Sequence, residues 1–199
     1  MVLSYKDAKN KLLTADIDGC QQFFARNGYK LEEAYVCIYE DKLQEAEIIF
    51  RQIKEQDIRA HWALIMLAFI NGEVEDVPSY FEIRNFFEID LDILINWYKG
   101  DYVEKIVRYA DYLFTINPEV HKFIGRVFWN NELKEQALFF LNRAKNYFYH
   151  DPELHFLIAQ TYLEDKNIAG TINALNDCLN ILPDYFPAQN LLNKLKKKY

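Results

Sequence analysis

Residues 118–151 read PEVHKFIGRVFWNNELKEQALFFLNRAKNYFYHD, and residues 152–185 read PELHFLIAQTYLEDKNIAGTINALNDCLNILPDY. Laid over one another without a gap, the two stretches match at an offset of 34 residues. Pro118-Glu119-Val120-His121 meets Pro152-Glu153-Leu154-His155, and Ile124-Gly125 meets Ile158-Ala159. Phe128 meets Tyr162, Ala137 meets Thr171, Leu141 meets Leu175 and Ala144 meets Cys178. Ile124, Gly125 and Phe128 recur at three- and four-residue intervals, which places them on one face of a helix. Ala137, Leu141 and Ala144 do the same on a second helix. Asn130-Asn131 and Asp165-Lys166-Asn167 supply the turns between the helices. Each stretch is therefore a helical hairpin. The small residues Gly125 and Ala137, and Ala159 and Thr171 after them, let the backbones approach where the helices cross.

At these residues the chain resembles the tetratricopeptide repeat, a 34-residue helical hairpin with small residues at its eighth and twentieth places and an aromatic at its eleventh. With Pro118 and Pro152 as first places, the matches are Gly125 and Ala159, Phe128 and Tyr162, and Ala137 and Thr171. Pro183 stands near the end of the second unit, where the first has Tyr149. The resemblance implies an all-α, right-handed superhelical solenoid of stacked antiparallel hairpins, closed by a capping helix.

Fainter copies lie upstream, spaced by about 30 residues. Leu94, Trp97, Ile106, Ala110 and Leu113 repeat the spacing, with a turn at Tyr98-Lys99-Gly100-Asp101-Tyr102. Ala34, Cys37, Ala46, Phe50 and Ile53 repeat it near the N-terminus. In the poorest copy Ile65, Ala68, Val77 and Phe81 fit, Arg84 falls where an apolar residue belongs, Gly72 marks the turn, and Pro78 suits the first turn of a helix. The expected organisation is a single domain over 1–199. It comprises a divergent hairpin at 1–23 with Asp16 or Asp18 as a helix cap, about five hairpins over 24–185, and a capping helix at 186–199 whose stripe is Ala188, Leu191, Leu192 and Leu195.

The bulk numbers agree with this reading. Of 199 residues, 51% are hydrophobic and 27% charged, with only 6 Gly and 5 Pro, a composition suited to long helices and short turns. The net charge of -7 argues against nucleic acid as a partner, because phosphate neutralisation needs a basic surface. Cys20, Cys37 and Cys178 are far apart and odd in number, which fits reduced thiols. The N-terminal Met-Val-Leu-Ser-Tyr-Lys-Asp lacks the apolar core of a signal peptide, and the apolar stretch Trp62 to Ile70 is too short to span a bilayer. A cytoplasmic protein without membrane insertion is expected.

Catalytic and metal patterns are absent. His61, His121 and His155 share one place in the repeat, too far apart to hold one zinc ion, and Asp151 beside His150 suits a helix cap. There is no Gly-x-Ser-x-Gly elbow, phosphate loop or dinucleotide fingerprint. Neither an enzyme nor a cofactor is expected. Lys194, Lys196, Lys197 and Lys198 are expected to offset a helix dipole at the C-terminal end, with a targeting or anionic-surface signal as the alternative.

The resemblance also implies that the first helix of each hairpin lines a concave surface that binds a partner. The residues carried onto that surface are Tyr35 and Tyr39, then Trp62, Met66 and Phe69, then Leu91, Ile95 and Tyr98. Lys122, Arg126 and Trp129 follow, and Phe156, Gln160 and Leu163 come last. Such aromatics anchor an extended peptide or amphipathic helix. The carboxylate clamp of some family members is not expected, since Arg126 stands where that pattern has Asn and Leu157 is apolar. The expected function is a protein-interaction scaffold or adaptor that takes a peptide or helix of a protein partner. A small chaperone shielding a client, similar to those of bacterial secretion systems, is the alternative, and homo-oligomerisation is a further possibility.

Overall fold

A computed structural model describes residues 3–198; Met1, Val2 and Tyr199, at the two ends of the expected domain, lie outside the described residues, as does the side chain of Lys198. The fold is all-α, with no strand among the described residues. The chain divides into two compact units, one ending at Ile116 and one beginning at Asn117.

The first unit contains α1 (Tyr5–Leu13), α2 (Cys20–Asn27), α3 (Lys30–Tyr39), α4 (Leu43–Ile53) and α5 (Ile58–Asn71). A single turn, α6 (Tyr80–Glu82), runs through a π-helical segment (Ile83–Phe87) into α7 (Glu88–Asn96), and α8 (Gly100–Val107) and α9 (Ala110–Phe114) follow. Helix α3 packs on α4, α4 on α5 and α7 on α8. The upstream packing residues Ala34, Cys37, Ala46 and Phe50 are buried, as are Leu94, Trp97, Ile106, Ala110 and Leu113. Helix α2 starts at Gly19 in a left-handed conformation with no side-chain cap, so neither Asp16 nor Asp18 caps it.

The poorest copy departs most from expectation. Val77 and Phe81 are exposed, 69% and 55%, rather than packed. Pro78 precedes the helix instead of opening it, because Ser79 is the N-cap of α6. There Ser79 and Glu82 form a reciprocal capping box, in which the Glu82 amide donates to Ser79 Oγ at 3.2 Å and the Ser79 amide donates to Glu82 Oε2 at 2.8 Å. The π-helical segment adds a residue to the turn and rotates the next face. Ile83, Phe87, Leu91 and Leu94 are buried, and Arg84 is left on the surface.

The second unit contains α10 (Val120–Asn130), α11 (Lys134–Lys145), α12 (Pro152–Glu164), α13 (Ile168–Ile181) and α14 (Phe186–Lys198), each packed on the next. The residues paired across the 34-residue offset occupy matching depths: Ile124 and Ile158, Ala137 and Thr171, Leu141 and Leu175, and Ala144 and Cys178 are each no more than 2% exposed. Gly125 is where two backbones meet. A Cβ built on it would lie 2.7 Å from Leu141 Cγ and Cδ2 and 3.1 Å from the Leu141 backbone nitrogen. Asp151 caps α12 by accepting from the Leu154 amide at 3.2 Å. Ala188, Leu192 and Leu195 of α14 are buried against this core.

One turn geometry recurs in both units. Asp41, Gly72, Tyr98, Glu132 and Lys166 are all left-handed, with φ between 59° and 85°. The amide of the next residue returns to a carbonyl five residues back: Lys42 to Cys37 (2.8 Å), Glu73 to Ala68 (2.8 Å), Lys99 to Leu94 (2.9 Å), Leu133 to Phe128 (2.8 Å) and Asn167 to Tyr162 (2.9 Å). This six-to-one closure satisfies carbonyls that a helix end leaves bare. It also sets register. Leu94, not Trp97, holds the place of Phe128, so the sequence alignment of that hairpin is three residues out of phase. The places matching Lys122, Arg126 and Trp129 are Glu88, Asp92 and Ile95 rather than Leu91, Ile95 and Tyr98.

Candidate functional site

In the second unit, α10, α12 and α14 border an open cleft of about 280 Å³. Phe156, Gln160, Leu163 and Glu164 face it from α12, at positions one and two turns apart. Pro187, Asn190, Leu191 and Lys194 face it from α14 with the same helical spacing, and Trp129 closes it from the end of α10. Four residues expected at a binding surface, Trp129, Phe156, Gln160 and Leu163, are thus brought together. Phe156 is held by the Tyr185 ring at 5.5 Å between centroids. Trp129 is half-buried, and its indole Nε1 is buried with no hydrogen-bond partner among the described residues. An indole N–H left so costs about 1–3 kcal/mol.

Lys122 and Arg126 are not open. Lys122 is 5% exposed, with its ammonium 2.5 Å from Asp151 Oδ2 and 2.6 Å from Glu153 Oε2. Arg126 Nη1 lies 3.0 Å from Glu153 Oε1. Burial alone would pull the Lys122 ammonium down, but hydrogen bonds to Asp151 and Glu153 outweigh it and hold the group above its ordinary value. The cations therefore tie α10 to the start of α12 rather than waiting for a ligand. The pattern is hard to foresee because both acids lie 27 to 31 residues away.

The expected groove aromatics of the first unit are mostly core. Tyr35, Trp62, Met66, Phe69 and Leu91 are each no more than 5% exposed. Tyr35 and Trp62 turn inward to Asp90, itself 2% exposed. The Tyr35 hydroxyl donates to Asp90 Oδ1 at 3.0 Å, the Trp62 indole to Oδ2 at 2.7 Å and Arg59 Nη2 to Oδ1 at 2.7 Å. Burial pushes the Asp90 carboxyl up, and these donors oppose it. Phe69 stacks on Tyr109 at 4.3 Å. Tyr39 is half-buried with its hydroxyl donating to the Ala15 carbonyl at 3.2 Å, and Ile95 is half-buried too. Tyr98 is 91% exposed, but it sits on the left-handed turn residue rather than a helix face. Asp90 was missed by sequence reasoning, although a carboxylate inside the apolar run FFEIDLDILI is the mark of a buried polar group.

Two of the histidines are held by hydrogen bonds within the chain. His61 Nδ1 donates to Glu82 Oε1 at 2.5 Å, and His155 Nε2 donates to the Tyr149 carbonyl at 3.0 Å. All three cysteines are buried and free. Burial pushes the Cys178 thiol up to about 11, away from reactive thiolate. Among the described residues no three His, Cys, Asp or Glu side chains gather as a metal site, and no helix is long and apolar enough to cross a membrane. Comparison with protein-family models and with curated proteins finds no match to this chain.

Proposed function

We propose that the hairpins are tetratricopeptide-like repeats of a solenoid, and that the protein is a cytoplasmic interaction scaffold whose second unit takes an extended segment of a protein partner. The observation that carries this reading is the open cleft lined by Trp129, Phe156, Gln160, Leu163 and Leu191. The apolar side chains offer area that association would remove from water. Gln160 and Asn190 each carry a donor and an acceptor, which suits a peptide main chain. Two turns of helix span about 11 Å, room for roughly three residues of extended chain.

Selection of displayed random peptides on the intact chain tests the proposal, with affinities of the enriched peptides measured by fluorescence anisotropy. Leu163→Glu should weaken them at least tenfold. Trp129→Ala removes the side chain that closes the cleft at the end of α10, so it should also weaken them at least tenfold. Peptides that bind both variants as well as the parent chain would refute the placement of the site.

A further inference from the structure

In the first unit, α1, α3, α5 and α7 enclose a second cleft, of about 270 Å³. Leu12 and Leu13 line it from α1, Leu31 from α3, and Ile89 and Ile93 from α7, with Trp97 beside them. Leu13 and Ile89 remain 38% and 47% exposed, large apolar side chains left in water at the rim. Trp97 cannot turn in to fill the space, because its indole N–H donates to the Leu12 carbonyl at 2.7 Å.

The polar groups of the lining are two cations and one carboxylate: Lys9, Arg59 and Glu32. Glu32 already accepts from the Tyr5 hydroxyl at 2.6 Å. Lys9 is half exposed, with Glu32 no nearer than 3.9 Å. Arg59 is locked in place. Its guanidinium lies between the rings of Tyr35 and Phe86, 5.3 and 5.4 Å from their centroids. Its Nε donates to the Tyr35 hydroxyl at 3.3 Å and its Nη2 to Asp90 at 2.7 Å. These bonds leave Nη1, among the described residues, without a partner. A guanidinium held this way offers its remaining donors with little entropy left to lose.

We propose that this cleft binds a slender aliphatic carboxylate, its chain lying among Leu13, Leu31, Ile89 and Ile93 and its carboxylate meeting Arg59 and Lys9. Asp90 and Glu32 balance the two cations in formal charge, so an anion is selected locally, by the half-exposed Lys9 ammonium and the remaining Arg59 donors. The walls select a hydrocarbon body. The volume falls just below the roughly 300–1,000 Å³ typical of ligand pockets, and a partner's helix is about 10–12 Å across, so the occupant is small and thin. The proposal does not rest on the peptide reading of the second unit.

Calorimetric titration of the full chain with octanoate, decanoate and decanol tests it, with tryptophan fluorescence as a second readout because Trp97 lines the cleft. Decanoate should bind one to one. Its advantage over octanoate should approach 15-fold, from about fourfold per buried methylene. Decanol should bind at least tenfold more weakly than decanoate. Ile89→Asn and Leu13→Asn alter exposed positions, so they should preserve the fold while weakening decanoate at least tenfold. Lys9→Gln and Arg59→Lys should narrow the preference for decanoate over decanol, the latter while keeping a cation beside Asp90. Trp129→Phe, in the other unit, should change nothing. Unsaturable uptake, equal binding of decanoate and decanol, or indifference to Ile89→Asn and Leu13→Asn would each overturn the proposal.

Discussion

Gly125→Ala should destabilise this protein, although the same change stabilises most helices. Gly125 lies inside α10, where alanine is favoured by about 1 kcal/mol on intrinsic propensity. The new methyl, however, would stand 2.7 Å from both Cγ and Cδ2 of Leu141, against an optimal carbon separation of about 3.5–4.0 Å. Turning the Leu141 side chain cannot clear it, because the Leu141 backbone nitrogen is also only 3.1 Å away and the residue is fully buried. The helices must part by roughly 1 Å, and overpacking of this kind costs about 1–3 kcal/mol, the upper half of that range being appropriate where backbone is involved. The propensity gain offsets part of it, leaving a net loss of about 1–2 kcal/mol. For a chain of this length that is a fall in Tm of roughly 2–8 °C. Thermal and urea unfolding followed by circular dichroism would measure it, with an unchanged urea slope showing that only stability moved. The double variant Gly125→Ala with Leu141→Ala should be less destabilised than the sum of the two single changes, by more than about 1 kcal/mol. A Gly125→Ala protein as stable as the parent, or more so, would show that the α10–α11 crossing is looser than described.

Four further outcomes follow from the same structure. Glu132→Gly and Lys166→Gly should each raise the urea midpoint by the equivalent of roughly 0.5–1 kcal/mol, because a left-handed residue with a Cβ is strained by about 1–2 kcal/mol and glycine's extra unfolded freedom cancels only part of the relief. Asp90→Ala should cost about 3–5 kcal/mol, since it strips Arg59, Tyr35 and Trp62 of one shared acceptor in a buried place; a loss under about 1 kcal/mol would contradict the network. Ser79→Ala should cost about 1 kcal/mol through the lost cap, read as a lower Tm. Burial raises the Glu82 carboxyl, but hydrogen bonds from His61 and Ser79 outweigh it and leave the group below its ordinary 4.5; its folded pKa is thus depressed, so its contribution is present above the unfolded pKa and is lost as pH falls through the folded one. Urea midpoints compared at pH 6 and pH 3 should therefore converge in Glu82→Gln relative to the parent chain.

Helical class and the paired hairpins of the second unit were legible because their information is local. Three- and four-residue spacing fixes which side chains share a face, and an ungapped offset of 34 residues fixes which faces correspond. That is why Ile124, Leu141 and Leu175 lie where the pattern puts them. Register failed where a local device broke the period. The π-helical segment at Ile83–Phe87 and the late start of α6 after Pro78 shift the next helix face, and a face shifted by one residue turns by about 100°. Val77 and Phe81, expected inside, lie before that segment and ended on the surface because Val77 falls in the loop ahead of the Ser79 cap and Phe81 in the single turn of α6.

The candidate site was legible only in part, for a different reason. A helical period tells which residues share a stripe but not whether another element covers it. Trp62, Met66 and Phe69 share a stripe as expected, yet α5 carries a buried residue at nearly every position from Ala60 to Ile70. Such a helix has no wet face to present. Lys122 illustrates the converse. Its side chain points from the expected face, but the acids that neutralise it sit at the start of the next hairpin, and a cation met by two carboxylates is a strut. Trp129, Phe156 and Gln160 border the cleft because α14 presents Pro187, Asn190 and Leu191 to it while burying Ala188, Leu192 and Leu195. Two stripes on α14, a buried one and one bordering the cleft, are what a helix needs if it is both to close the core and to form half of the proposed peptide site.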